Sequence, residues 1–314
     1  MAKLPVKPGN VLKTLEQVKR EAKKPVSIVI VGPKNCGKKT LKDSLTSSSS
    51  NTSEIFSVLD LEAEPMILEE SIRAADAVLI MLDAAADLEK DAPKAEELSK
   101  LKKSSLIILN KVDLTPDLEA KLQPVWDILS QFSSKVIFIS ALKGLNVEEE
   151  LVPKIYDLVD SRGKGIALAA RAPIFRRIAA SRIIHHASAQ NGLIGAVTIL
   201  PGADMPLLTA NQLRMVLKIA AVYNEELTLT RLKELITVVG TGFTLRALAR
   251  QLLDLVPGVG WVVKGAVAFT GTEALGLAAQ KYFEKGYSHL TAENIKETYR
   301  SIKGGKVWRR SKKN

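Results

Sequence analysis

The sequence predicts an α/β fold with a doubly wound, mostly parallel sheet, followed by an all-α C-terminal domain. Short apolar runs such as AVLIML and LIIL alternate with longer helical patterns in the first half of the chain. Such runs are typical of parallel strands that helices cover on both faces. Beyond residue 173 this alternation stops, and apolar residues recur at helical spacing, as at Leu213, Val216, Leu217 and Ala220. A chain of 314 residues is also long enough for two domains.

The strands and helices of the first half are predicted in alternation. The strands are predicted at residues 26–31, 55–60, 77–83, 105–110 and 135–139, and the helices at residues 38–45, 66–75, 92–103, 116–132 and 146–159. A further helix is predicted at residues 232–239, where apolar residues again recur at helical spacing. The predicted organisation is a helical extension over residues 1–24, the sheet domain over 25–160, a linker over 161–173, the helical domain over 174–302 and a basic tail over 303–314.

The charge of the chain is distributed unevenly. Its net value is +11, but residues 1–160 hold 22 Lys and Arg against 25 Asp and Glu, whereas residues 161–314 hold 23 against 9. This asymmetry indicates an anionic partner for the second half, either a lipid surface or nucleic acid. Nucleic acid is disfavoured because the sequence shows neither a Gly-x-x-Gly clamp nor a set of stacking aromatics. The alternative is a solvated basic surface without a dedicated partner.

The cysteine content and the apolar segments bear on the compartment. The single cysteine, Cys36, excludes an internal disulfide framework and a Cys-rich zinc site, and it fits a reducing compartment. The start MAKLPVKPGN lacks the apolar core of a signal peptide. Residues 255–279 approach the length of a bilayer span, but Lys264 and Glu273 interrupt them. We therefore expect a cytoplasmic protein, with peripheral association at the inner face of the membrane as one option.

The segment GPKNCGKKT, residues 32–40, follows a predicted strand and precedes a predicted helix. Gly32, Gly37 and Lys38 have the Gly-x-x-x-x-Gly-Lys spacing of a phosphate-binding loop, in which backbone N–H groups and a helix N-terminus face phosphate oxygens. The alternative is an ordinary glycine-rich turn between strand and helix. Cys36 lies beside a lysine in this loop, a setting that can lower a thiol pKa. A redox-sensitive loop is one interpretation, and a small tolerated residue is the other.

A second motif, LIILNKVDL, places Asn110, Lys111 and Asp113 at the end of a predicted strand. It resembles the Asn-Lys-x-Asp guanine-specificity motif of regulatory GTPases. The resemblance implies that the carboxylate accepts hydrogen bonds from guanine N1–H and the 2-amino group, while the lysine stem packs along the base. Adenine presents the wrong pattern and would leave a buried carboxylate unpaired.

The segment VIFISALKG resembles the Ser-Ala-Lys loop of the same proteins, with Ser140 and Ala141 in place and Leu142 where lysine is usual. In that loop the backbone amide of Ala141 would face guanine O6. In addition, GPKNCGKKTL has the Gly-x-x-Asn-x-Gly-Lys-x-Thr-Leu frame of Era-like GTPases, and the resemblance covers residues 25–160. It implies an Era-like P-loop GTPase domain that binds GTP or GDP with Mg²⁺. Within this frame the nucleotide-contacting candidates also include Asn35, Lys39 and Thr40.

The sequence departs from the Era-like pattern where the reaction is concerned, and no catalytic residue is assigned. Lys39 stands where the family has the Ser or Thr that coordinates Mg²⁺, and Thr40 points about 100° away around the helix. Asp60 is a candidate to hold Mg²⁺ through water, but Ala63 replaces the glycine of the Asp-x-x-Gly element. Only about twenty residues separate Lys38 from Asp60, which is short for a full switch segment. Binding is therefore expected, but fast intrinsic hydrolysis is not.

The second half resembles the YcjF-like domain, also called domain of unknown function 697, over residues 183–286. The segments LPGAD, LTANQ, LRALARQLL, VPGVGW and GTEALG occur in the family's order. That domain is found attached to Era-like GTPase domains, which implies an architecture and no mechanism. Small residues such as Gly265 and Gly276 indicate close packing between helices.

Three functions are compatible with these observations. The first is a regulatory GTPase with weak or activator-dependent hydrolysis, whose basic helical domain engages a membrane surface or a protein partner. The second is a pseudo-GTPase, an interaction scaffold that does not hydrolyse GTP. The third is an RNA-binding assembly factor, whose binding would depend steeply on salt.

Overall fold

The structure is a computed structural model that describes residues 8–46, 54–101, 104–131, 136–197, 205–226 and 260–285. These residues group into two compact units. We call Lys23–Ile178 the sheet unit, and Met1–Ala22 together with Ala179–Asn314 the helical unit. The predicted helix at 232–239 and the basic tail at 303–314 lie outside the described residues.

Five parallel strands form the sheet among the described residues. They are β1 Ile28–Gly32, β2 Phe56–Asp60, β3 Ala77–Asp83, β4 Ser105–Asn110 and β5 Val136–Phe138, in the spatial order β2-β1-β3-β4-β5. Each pairing between neighbours is parallel. The strand order reverses between β1 and β3, because the chain passes from β1 to one edge and returns on the other side. Open α/β sheets bind ligands at such a switch point, beyond the carboxyl ends of the strands.

Helices follow the strands and cover the sheet. The α-helices of the described residues are α1 Pro8–Ala22, α2 Lys38–Thr46, α3 Pro65–Ala74, α4 Leu88–Leu101, α5 Leu118–Leu122, α6 Trp126–Ser130, α7 Val152–Asp160, α8 Gly165–Arg171, α9 Arg176–Val197, α10 Met205–Val222 and α11 Gly260–Lys285. All residues of β1 and β4 are buried, as are those of β3 except Asp83 at its end. This pattern confirms the predicted parallel sheet with helices on both faces.

The prediction of one helix over residues 116–132 is wrong. The chain there forms α5, a 3₁₀ turn at Gln123–Val125 and α6. Pro124 lies in the turn, and proline lacks the N–H that would continue an α-helix. The helix predicted at 146–159 also differs, since it begins with a π-helical segment, Val147–Leu151, before α7.

The segment 161–173 differs from the predicted linker. It contains α8, and Ile166, Leu168 and Ala169 of this helix are buried within the sheet unit. Gly165 is required by close packing, because a Cβ on it would lie 2.4 Å from the Asp160 carboxylate. The glycine therefore reflects contact with α7 rather than chain flexibility.

The helical unit contains helices and no strand among its described residues. Helix α1 packs against α10, with Val11, Leu15 and Val18 buried. The close helix packing predicted from small residues is confirmed, since a Cβ on Gly265 would lie 2.9 Å from the backbone oxygen of Gly192. Across the described residues, no helix has both the length and the apolar character needed to cross a bilayer.

Candidate functional site

The phosphate-loop candidate joins β1 to α2 at the switch point of the sheet. Gly32 ends β1, Lys38 begins α2, and both Asn35 and Gly37 have left-handed backbone angles, with φ values of 62° and 99°. A Cβ on Gly37 would lie 2.3 Å from the side-chain nitrogen of Asn110, so no larger residue fits. A Cβ on Gly32 would lie 2.2 Å from the backbone oxygen of Met81 on β3. Both glycines are therefore fixed by close approach of neighbouring elements.

Lys38 lies folded across this loop and is almost completely buried. Its Nζ donates hydrogen bonds to the backbone oxygens of Gly32, at 2.9 Å, and Pro33. The same Nζ lies 3.0 Å from Oδ1 of Asp60, the last residue of β2, which pairs in register with Gly32. The hydrogen bond and the charge of Lys38 lower the pKa of Asp60, and the charges of Lys34 and Lys39 lower it further. The loop lysine and the metal-ligand candidate thus pair with each other.

The residues around Asp60 do not fit the Mg²⁺ that the Era-like resemblance implies. Lys39 is a cation at the position of the usual hydroxyl ligand, and it is exposed on the first turn of α2, as is Thr40. Asp60 already faces an ammonium group. Within the described ranges, no group of three or more His, Cys, Asp or Glu side chains lies close enough to hold a metal ion. A metal ion at this place would therefore meet one carboxylate, which is already paired with Lys38, and the positive charges of Lys34 and Lys39.

Asn110 connects the phosphate loop to the loop at residues 140–142. Its side chain is buried at the end of β4, where Nδ2 donates to the backbone oxygen of Cys36 at 2.8 Å. Its Oδ1 accepts a hydrogen bond from the backbone N–H of Ala141 at 2.8 Å. The Ala141 N–H that was expected to face guanine O6 is therefore engaged by Asn110. This amide would have to share or exchange that bond in order to contact a base.

Lys111 and Asp113 lie on the same carboxyl edge of the sheet. Lys111 has a left-handed φ of 65°, and its Nζ lies 2.5 Å from Oδ2 of Asp83 at the end of β3. Asp113 follows in a 3₁₀ turn, Val112–Leu114, and its Oδ2 lies 3.1 Å from Nζ of Lys143. Hydrogen bonds from the Ser140 side chain and from Lys143 lower the pKa of Asp113. The Asp113 carboxylate is thus ionised and already surrounded by donors.

Leu142, in the loop at residues 140–142, and Cys36, in the phosphate loop, are the two remaining candidates. The Leu142 side chain is 84% exposed, so it packs against no part of the site. Cys36 is buried, and this burial raises the pKa of its thiol despite the opposing charge of Lys38. A thiol in this state is a poor nucleophile. The structure therefore favours the small tolerated residue over the redox-sensitive loop.

Two residues of this edge, Asp83 and Lys143, were missed by the sequence reasoning. Asp83 ends a buried strand, and parallel strands bring their carboxyl ends to one edge, so its meeting with Lys111 follows from the strand order. Leu142 occupies the position where lysine is usual, and Lys143 is the next residue. The side chain of Lys143 lies beside Asp113 from this position one residue later. The signal for Asp83 was available in the strand pattern. The signal for Lys143 was a lysine displaced by one residue in SALKG.

The fold and this edge define a P-loop NTPase-type domain followed by a helical region. The parallel order β2-β1-β3-β4-β5, the Gly-x-x-x-x-Gly-Lys loop between β1 and α2, and the ligand-facing switch point are the features that define the class. Residues 161–305 match a family described as "Domain of unknown function (DUF697)". The expected resemblance of the second half is thereby confirmed, and the chain combines a P-loop domain with a segment that matches the model of that family.

Several solved structures are similar to part of this chain. The FeoB G-domain from Methanococcus jannaschii is 27% identical, with 43% of this chain and 97% of that chain covered and a TM-score of 0.32. An ADP-ribosylation factor-like GTP-binding protein (small COPII coat GTPase) from Encephalitozoon cuniculi, in complex with GDP, is 16% identical over 49% and 87%, with a TM-score of 0.35. A variant of Aquifex aeolicus Era bound to GDP and aluminium fluoride is 22% identical over 52% and 66%, with a TM-score of 0.31. A search of curated protein sequences found no match.

Proposed function

We propose that this protein binds guanine nucleotides at the carboxyl edge of its sheet and hydrolyses GTP slowly. The observation that carries the proposal is the double hydrogen bond of Asn110. One side chain holds the backbone of the phosphate loop and the backbone of Ala141, at 2.8 Å each. Such a bridge fixes the distance between a phosphate cradle and a base pocket. Asp113 lies on the same edge and supplies the acceptor that guanine requires.

Each candidate residue has a role in this binding mode. The backbone N–H groups between Gly32 and Gly37 and the N-terminus of α2 would face the phosphates. Lys38 would leave Asp60 and pair with a phosphate oxygen instead. Guanine N1–H and the 2-amino group would donate to Asp113, displacing or sharing the contact with Lys143. An exposed partner such as Lys143 is easily displaced, because a solvated ion pair contributes little free energy.

Slow hydrolysis follows from what surrounds the γ-phosphate position. Phosphoryl transfer depends on positioned charge and on a residue that orients the attacking water. Ala63 stands where the Era-like pattern has glycine, and Lys39 stands where it has a hydroxyl. The sequence places no obvious glutamine or arginine to orient a water molecule or to stabilise the transferring phosphoryl group. The pseudo-GTPase remains the second candidate, and the pairing of Lys38 with Asp60 favours it.

Guanine-selective binding is the first expected result. A fluorescent GDP analogue titrated into the purified protein should bind, and GDP and GTP should displace it. ATP should compete at least about 100-fold less well, because adenine leaves the Asp113 carboxylate unpaired. Equal competition by ATP would contradict the guanine assignment. Absence of binding at millimolar nucleotide would contradict the proposal as a whole.

We also propose that the helical unit engages an anionic membrane surface. Residues 1–22 and 179–314 of this unit carry 23 Lys and Arg against 11 Asp and Glu, and Leu193, Val197 and Leu207 are exposed apolar side chains of α9 and α10. Basic surfaces with exposed apolar residues bind anionic headgroups, with about 1 kcal/mol for each Lys or Arg near the surface.

This membrane proposal predicts selective sedimentation with vesicles. The protein should sediment with vesicles that contain phosphatidylserine and not with vesicles of phosphatidylcholine alone, and added salt should release it. Replacing both Leu193 and Leu207 with Gln should weaken sedimentation without changing the charge. Binding to neither vesicle would direct attention to a protein partner.

A further inference from the structure

The charge around Asp60 is unusual for the end of a strand beside a phosphate loop. One carboxylate faces the ammonium group of Lys38 at 3.0 Å, and Lys34 and Lys39 lie close enough to act on it electrostatically. All three lysines belong to the loop or to the first turn of α2. A divalent cation placed beside Asp60 would be repelled by three positive charges at short range.

In the described part of the chain, this position also lacks a cluster of the oxygen donors that a magnesium ion needs. Mg²⁺ requires near-octahedral coordination by oxygen, which proteins supply from carboxylates, hydroxyls and substrate phosphates. An ammonium group has three donors and no acceptor, so Lys39 cannot take part in coordination. Asp60 has its Oδ1 paired with Lys38. Among the described residues, no group of three or more His, Cys, Asp or Glu side chains lies together here to hold the metal.

Lys39 is placed to neutralise phosphate charge, which the metal ion would otherwise do. It is exposed on the first turn of α2, directly after the lysine that a phosphate would contact. The helix N-terminus adds partial positive charge at the same place. Two ammonium groups on adjacent residues, Lys38 and Lys39, can therefore offset the charge of a diphosphate.

We propose that guanine nucleotide binds this protein without Mg²⁺, with Lys39 taking the place of the metal and with Asp60 competing with the phosphates for Lys38. This inference rests on the proposed guanine-nucleotide binding. It assigns Asp60 a role opposite to the one expected from the Era-like resemblance. Instead of holding a metal ion, the carboxylate holds the loop lysine until a phosphate replaces it.

The first test compares GDP affinity in Mg²⁺ and in EDTA. The affinity of the native protein for the fluorescent GDP analogue should agree within about twofold between the two buffers. Lys39→Ser restores a hydroxyl, so it should weaken binding in EDTA by at least about tenfold and make binding depend on Mg²⁺. Lys42→Ser is the matched control, because it removes the same charge one turn further along α2. It should bind GDP like the native protein in both buffers.

The outcomes separate this inference from the proposed function. If the native protein binds GDP in Mg²⁺ but loses at least about tenfold in EDTA, the metal is required and the inference is wrong, whereas guanine binding stands. If no GDP binds in either buffer, the proposed function itself fails. If Lys39→Ser and Lys42→Ser lose affinity equally, Lys39 has no special role and the inference is also wrong.

Asp60→Asn gives a second test in which the two roles of Asp60 predict opposite signs. The amide has the shape of the carboxylate but no charge, so Lys38 is released and GDP affinity should rise by about threefold in both buffers. If Asp60 held a metal ion, the same substitution would lower affinity, and only in the presence of Mg²⁺. A loss confined to the magnesium buffer would therefore overturn the inference.

Discussion

Asp113→Asn is expected to lower the affinity for GDP by at least about 100-fold. Guanine presents two donors, N1–H and the 2-amino group, and a carboxylate can accept from both. An asparagine amide accepts one and directs its own N–H₂ group at the other, so two donors face each other. Xanthine has an oxygen at position 2, so the amide can donate to it. The affinity for xanthosine diphosphate should therefore rise, and competition titrations with both nucleotides measure the exchange.

Lys143→Ala separates base recognition from the local ion pair. Lys143 lies 3.1 Å from Asp113, but its side chain is 63% exposed. Removing it should change GDP affinity by no more than about threefold, because exposed ion pairs contribute little. If Asp113→Asn and Lys143→Ala had equal effects, Asp113 would serve only to hold the loop at residues 140–143. If Asp113→Asn left GDP binding unchanged, the guanine assignment would be wrong.

The central strands were predictable because burial on both faces leaves a continuous apolar run. The predicted bounds of β3 and β4 are those observed. The start of β1 is two residues later than predicted, and the reason is tertiary. The backbone N–H of Ser27 donates to the Asp76 carboxylate at 3.0 Å instead of to a strand. A side chain 49 residues away cannot be inferred from local periodicity.

The segment after α7 shows the same limit. Its glycines and lysines are typical of a linker, but Lys164 pairs with Asp76 at 2.7 Å and α8 buries its apolar residues in the sheet unit. Amino-acid composition indicates only the local conformational preference of a segment. Helix α8 is stabilised by contacts with distant residues, and these contacts depend on the fold being known already. The same holds for α1, which groups with residues 179–314 rather than with the sheet that follows it.

The residue types of the candidate site were predictable, but their pairing was not. Motif spacing identified Lys38 as a phosphate-loop residue, and the resemblance to GTPase motifs implied Asp60, Lys111 and Asp113. Lys38 meets Asp60 because β1 and β2 are neighbours in parallel register. Lys111 meets Asp83 because β3 and β4 are neighbours. Strand order is a property of the whole sheet, and it decides which charges oppose one another at the carboxyl edge.

The bridge made by Asn110 gives the second large expected effect. Asn110→Ala removes both of its hydrogen bonds and leaves the backbone oxygen of Cys36 and the N–H of Ala141 without partners in a buried region. Each unpaired buried group costs about 1–3 kcal/mol, so the sheet unit should lose roughly 2–6 kcal/mol of stability. Calorimetric unfolding measures this loss, and hydrogen exchange at the Ala141 amide should become faster.

Asn110→Asp distinguishes the two ends of the bridge. A carboxylate still accepts from the Ala141 N–H, so exchange at that amide should stay slow. It cannot donate to the Cys36 oxygen and instead repels it, so the phosphate loop should lose its support and GDP affinity should fall by at least about tenfold. A loss of affinity with a protected Ala141 amide would locate the effect in the phosphate loop. If both variants kept native stability and GDP affinity, the two loops would be held by other contacts, and Asn110 would not be the residue that sets their distance.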